Sequence, residues 1–77
     1  MRDVLLIGDL ASRTGLSVHT INYYLKLGLI AAHGRAERSG FRIFNQETLS
    51  DLEKIIALRR LHTPIRELIA RKKDGLL

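Results

Sequence analysis

The chain has 77 residues, 13 Lys+Arg against 8 Asp+Glu, a net charge of +5 and no cysteine. That length allows one domain with a modest core, and the basic surplus favours a polyanion, either nucleic acid or an acidic membrane surface. Without cysteine there is no disulfide framework and no thiolate metal site, and the apolar run Val4–Ile7 is too short for a signal peptide or a membrane span, so a cytoplasmic chain is expected.

Residues 1–6 read as a short extended lead-in. A first helix is predicted over about 8–14, because Ile7, Leu10, Ala11 and Thr14 recur at i, i+3, i+4 and i+7. Gly15 ends it, since a residue without Cβ accepts the left-handed backbone of a helix stop. Leu16 then tucks under the turn, and Ser17 is a good N-cap for a second helix running from Val18 to Leu27, closed by Gly28. Next come two short extended pieces, Leu29-Ile30-Ala31 and Phe41-Arg42-Ile43-Phe44, expected to pair as an antiparallel ribbon. Its tip would be Gly34 to Gly40, a basic, exposed finger carrying Arg35 and Arg38. Alternation places Phe41 and Ile43 on one face of the second strand and Arg42 and Phe44 on the other. Asn45 is the expected cap of a third helix, with Glu47 complementing the dipole of its first turn. Leu49, Leu52, Ile55, Ile56 and Arg59 share one face of that helix, while Leu58 and Leu61 fall on another and need cover. Thr63-Pro64 reads as a cap followed by proline in the first helical position, opening a last helix to Lys73 with the stripe Ile65, Leu68, Ile69. The expected fold class is therefore mainly α: a winged helix-turn-helix of four helices with a small antiparallel β wing, forming a single domain over residues 1–77.

The second helix carries the function. At 100° per residue Val18, Ile21 and Leu25 share the inward face, with Tyr24 at its edge. The opposite face presents His19, Tyr23 and Lys26, with Thr20 beside them. A polar, aromatic and cationic face of this kind suits a DNA major groove, Lys26 facing phosphate while His19, Thr20 and Tyr23 reach base edges or phosphate oxygens. The competing explanation is the solvated face of an ordinary amphipathic helix. The preceding glycine turn and the basic finger that follows favour the DNA reading. Arg42, held on a short ribbon, can grip phosphate through charge-assisted hydrogen bonds, or it can simply guard an edge strand.

In these segments the chain resembles the DNA-binding domain of the MerR family of bacterial transcription regulators. The matching pieces are Ile7-Gly8-Asp9-Leu10-Ala11, Thr14-Gly15-Leu16-Ser17, Thr20-Ile21-Asn22-Tyr23-Tyr24, Leu27-Gly28-Leu29-Ile30 and Gly40-Phe41-Arg42-Ile43-Phe44-Asn45. The resemblance implies that the second helix enters the major groove of double-stranded DNA. It also implies that a homodimer binds a palindromic promoter element, acting with RNA polymerase on bent and untwisted DNA. The DNA-binding role it implies falls on Ser17, His19, Thr20, Tyr23, Tyr24 and Arg42, with Arg35 and Arg38 as wing contacts. Two positions and one turn depart from the family's pattern. Asn22 stands where arginine is usual, Phe44 where tyrosine is usual, and His62-Thr63-Pro64 replaces a Gly-aromatic turn. The helical wheel puts Asn22 near the buried side, although an asparagine facing the groove could read adenine. The family's long dimerisation helix and effector domain would follow Leu77, and Leu76-Leu77 is where a longer chain would continue or a second protomer would dock.

No other constellation points to chemistry. His19, His33 and His62 lack partners at metal-ligand spacing, no acid/base pair or nucleophile motif is apparent, and no cofactor is expected. Arg71-Lys72-Lys73 is a cationic helix end favoured by the dipole. Two alternatives to a regulator stay open: an excisionase-like or terminase-like architectural DNA-binding protein, and a protein-interaction module using the apolar surface of the third helix and the tail.

Overall fold

The computed structural model describes residues 4–77; the first half of the predicted lead-in lies outside the described residues. Four helices and one two-stranded ribbon follow in chain order: α1 (Ile7–Thr14), α2 (Val18–Lys26), β1 (Gly34–Arg35), β2 (Arg42–Ile43), α3 (Gln46–Arg60) and α4 (Ile65–Lys73). Among the described residues no helix is long and apolar enough to cross a membrane.

Each helix begins and ends for a local reason. At the start of α1 the Asp9 carboxylate accepts from the Leu6 backbone N–H at 2.8 Å, satisfying a donor left open at the N-terminus. At its end Gly15 takes φ 79°, and its N–H donates to the Ala11 carbonyl. The Thr14 hydroxyl donates to the Leu10 carbonyl at 2.7 Å and accepts from the Leu16 N–H at 3.2 Å, so the turn is fastened from both sides. Ser17 then caps α2, and Asn45 caps α3 as expected, its Oδ1 accepting from the Thr48 N–H at 3.2 Å. The start of α4 differs by one position: Pro64 is the N-cap residue itself, with ψ 150°. Thr63 is nearly buried and its carbonyl accepts from Arg59 Nη1 at 2.9 Å, so it ties α3 to α4 instead of capping.

One core holds the molecule together. Leu10 of α1, Ile21 and Tyr24 of α2, Leu52 and Ile55 of α3 and Leu68 of α4 meet Leu5, Leu29, Ile30 and Phe44 from the connecting segments. α1 packs against both α2 and α3. This arrangement explains why Leu29-Ile30 is not a strand. Both residues are buried, and the segment is pinned by the Leu29 N–H donating to the Tyr24 carbonyl just past the α2 terminus. The actual partner of β2 is β1, in the antiparallel register Gly34↔Ile43 and Arg35↔Arg42. The tip is correspondingly shorter than Gly34 to Gly40, and it is closed by Ala36 and Phe41 and by Gly40 donating to Ala36. An isolated antiparallel bridge joins Leu5 to Phe44 at the base of the ribbon. The expected cover over Leu61 is absent: its side chain is 75% exposed, whereas Leu77 packs partly against the core.

Candidate nucleic-acid interface

Which side of α2 faces outward decides which residues can touch a ligand. Ile21 and Tyr24 are buried, Leu25 is half-buried, and Val18 is 42% exposed. Relative to a wheel centred on Val18, Ile21 and Leu25, the buried face is turned by roughly 50° towards Tyr24. Two sequence expectations change as a result. Tyr24 is a core residue, 6% exposed, because the α2 helix packs through its second aromatic and not through Val18. Asn22 is exposed, on the flank of the outer face, and not near the buried side.

The remaining α2 candidates sort by what they already bond. Ser17 Oγ accepts from the Thr20 N–H at 3.0 Å and lies 3.0 Å from Thr20 Oγ1, so both hydroxyls are engaged in the cap. Ser17 is exposed and Thr20 half-buried at the first turn. His19, Tyr23 and Lys26 are exposed, and the Tyr23 ring leans against Tyr24 with centroids 6.0 Å apart. Tyr23 thus stands on the surface on a buried aromatic base. Val18, Asn22 and Lys26 form a second row, at i, i+4 and i+8, along the flank of α2.

The wing faces that flank across a shallow surface depression. Asn22 and Arg42 line two adjoining concavities together. One is completed by Leu6, Ile7, Gly8, Asp9 and Phe41, and the other by Leu25, Lys26, Gly28, Ile30, Ala31 and Ala32. Arg42 is therefore brought beside α2, as a groove-spanning surface requires. Arg38 is exposed in the tip turn. Arg35 is on β1, not on the tip, and its Nη1 donates to the Gly40 carbonyl at 2.9 Å, fastening the turn. Arg35 and Arg42 face each other across the ribbon, a like-charge pair that disfavours the bare hairpin. Among the described residues the only ion pair is Arg71–Glu67, so the wing arginines have no carboxylate to neutralise them. The alternation along β2 also resolves: Phe44 is the inward anchor at 1% exposure, while Phe41 is 65% exposed.

Sequence reasoning missed Phe41 as a member of this surface, and it weighed Asn22 as an adenine reader but placed it near the buried side. The signal for Asn22 was its i+4 spacing to Lys26, obscured once Val18 was placed inward.

A turn-linked helix pair, an exposed polar second helix and a basic two-stranded wing beside it define a winged helix-turn-helix. Residues 5–71 match the model of the MerR HTH family regulatory proteins, and the chain belongs to that family. It is 34% identical over 74 residues to the transcriptional regulator BrlR of Pseudomonas aeruginosa, covering 96% of this chain and 27% of that protein. It is 37% identical over 62 residues to the mercuric resistance operon regulatory protein of Bacillus cereus, covering 80% of this chain and 46% of that protein. Among solved structures, a MerR-family transcriptional regulator from Bacillus cereus superposes with a TM-score of 0.79 at 25% identity, over 87% of this chain and 49% of that one. The HTH-type transcriptional regulator SkgA of Caulobacter crescentus gives 0.78 at 26% identity, over 91% and 50%. The chain thus spans less than half the length of these two curated relatives.

Proposed function

We propose that this chain binds double-stranded DNA with sequence preference and serves as the DNA-reading unit of a transcription regulator. The observation that carries this is the union of the α2 flank and the wing: Asn22, Lys26 and Arg42 line one groove, with His19 and Tyr23 on the adjoining outer row. α2 lies in the major groove, His19 and Tyr23 meet base edges or phosphate oxygens, and Lys26 and Arg42 take phosphates. Arg38 adds a phosphate contact from the tip, and Arg35 does so with the nitrogens it does not spend on Gly40. Ser17 and Thr20 act first as the cap that aims the start of α2. Tyr24 serves through the core.

The relatives named as transcription regulators support regulation of transcription over an architectural or protein-interaction role. In this proposal the protein works in the cytoplasm on the nucleoid, as a homodimer on a two-fold site at a promoter, with RNA polymerase as the second partner.

The test is fluorescence anisotropy of a labelled mixed-sequence duplex across a salt series. If one protomer neutralises about four phosphates, log affinity falls with a slope near −4 against log salt. Tyr23→Ala and Arg42→Ala should both weaken binding while remaining folded. Absence of binding at low salt, or binding by both variants as tight as the parent's, would return the interaction-module reading.

A further inference from the structure

Asn22 is the one neutral polar side chain of the α2 flank, placed one turn before Lys26 and sharing both concavities with Arg42. It is exposed, and no hydrogen bond commits its amide among the described residues. A side chain in that position can do one of two things for a duplex: hold a phosphate or recognise a base. The chemistry of the amide decides between them. A phosphate offers only acceptors, which would leave Asn22 Oδ1 facing an anion without a donor. In the duplex-binding proposal Lys26 and Arg42 already take the phosphates along this edge. An adenine edge in the major groove offers an acceptor, N7, beside a donor, the N6 amino group, and the asparagine amide matches that pair with one donor and one acceptor.

We infer that Asn22 is a specificity-determining residue that selects adenine at one position of each half-site, beside the phosphate taken by Arg42. This rests on the duplex-binding proposal above. The division of labour is that Lys26 and Arg42 fix register without reading sequence, and Asn22 reads sequence within that register. The exposed position on a capped helix leaves room to change the residue without disturbing the core.

The experiment selects duplexes from a randomised pool with the 77-residue chain, and in parallel with Asn22→Ala and Asn22→Gln. Affinities are then measured on the selected duplex and on copies with single base-pair changes. Circular dichroism checks that each variant keeps the helical content of the parent. The parent should prefer adenine at one position by about tenfold to a hundredfold over guanine or a pyrimidine. Asn22→Ala should lose that preference there and keep the others, with its salt slope unchanged. Arg42→Ala should weaken all duplexes alike and reduce the salt slope by about one. The inference is overturned if Asn22→Ala weakens every duplex equally, or if it leaves the selected sequence intact. Failure of the parent to bind any duplex at low salt would remove the duplex-binding proposal itself, and the inference with it; binding with an unaltered preference removes only the inference.

Discussion

The helix-turn-helix and the wing face the same side of the molecule but are secured in different ways. Residues 7–27 are fixed by a capped start, a left-handed glycine turn, a serine cap and three buried side chains, Leu10, Ile21 and Tyr24. The wing has two strands of two residues each, an exposed Phe41 and a like-charge pair across the ribbon. Its stability comes from its base, where Phe44 enters the core. The lesson is that the helix pair carries its own caps and core contacts, whereas the wing depends on its root. The bare wing carries unneutralised charge, which a phosphate would relieve.

The two phenylalanines of the wing give the sharpest way to break the comparison. Phe44→Ala should destabilise the fold by about 3–5 kcal/mol, enough to unfold much of a domain this small, as urea denaturation would show. Phe41→Ala, three residues away, should change stability by no more than about 0.5 kcal/mol. On the helix-turn-helix side, Ser17→Ala removes a cap and should cost about 1 kcal/mol, while Ser17→Gly should cost only a few tenths. If Ser17 acted on DNA alone, both variants would melt like the parent. A smaller gain is expected at His62, which holds φ 63° at the end of α3. His62→Gly relieves that left-handed strain and should raise stability by about 0.5 kcal/mol without altering duplex affinity. Smallest in stability is Arg42→Ala: thermal melting should move by less than about 0.5 kcal/mol or upward, because it removes one member of the cross-strand pair. Its affinity loss should be plain, which separates the wing's role in binding from its role in folding.

The sequence made the helices legible because their signals are local. Gly15, Ser17 and Asn45 each act within four residues, and the 3.6-residue period of α1 needs no knowledge of the rest of the chain. The errors arose where tertiary packing chose between equals. Leu29-Ile30 is an apolar run that fits a buried strand or a buried coil equally well, and only the position of the α2 terminus decides. β1 is Gly34-Arg35, a pair without alternation or β-branched residues, so nothing local announces it. On α2, Val18 and Tyr24 both suit a core edge, and the choice between them rotated the outer face and hid Asn22. The outer row of α2, His19, Tyr23 and Lys26, is therefore exposed as the wheel expected, while the flank was misjudged.

The bridge between Leu5 and Phe44, with backbone hydrogen bonds of 2.8 and 2.7 Å, bears on the order in which the chain organises itself. α1 and α2 can form from contacts between neighbours, but this bridge closes a loop that includes both of them and the wing, and its entropy must be met before it is rewarded. The wing's root is thus expected to form late in folding. The amides of Leu5 and Phe44 should gain protection from hydrogen exchange together, after those of Ile21 and Tyr24. A weight or tether attached before Val4 would be felt first at the wing, not at the helix nearest to it in sequence.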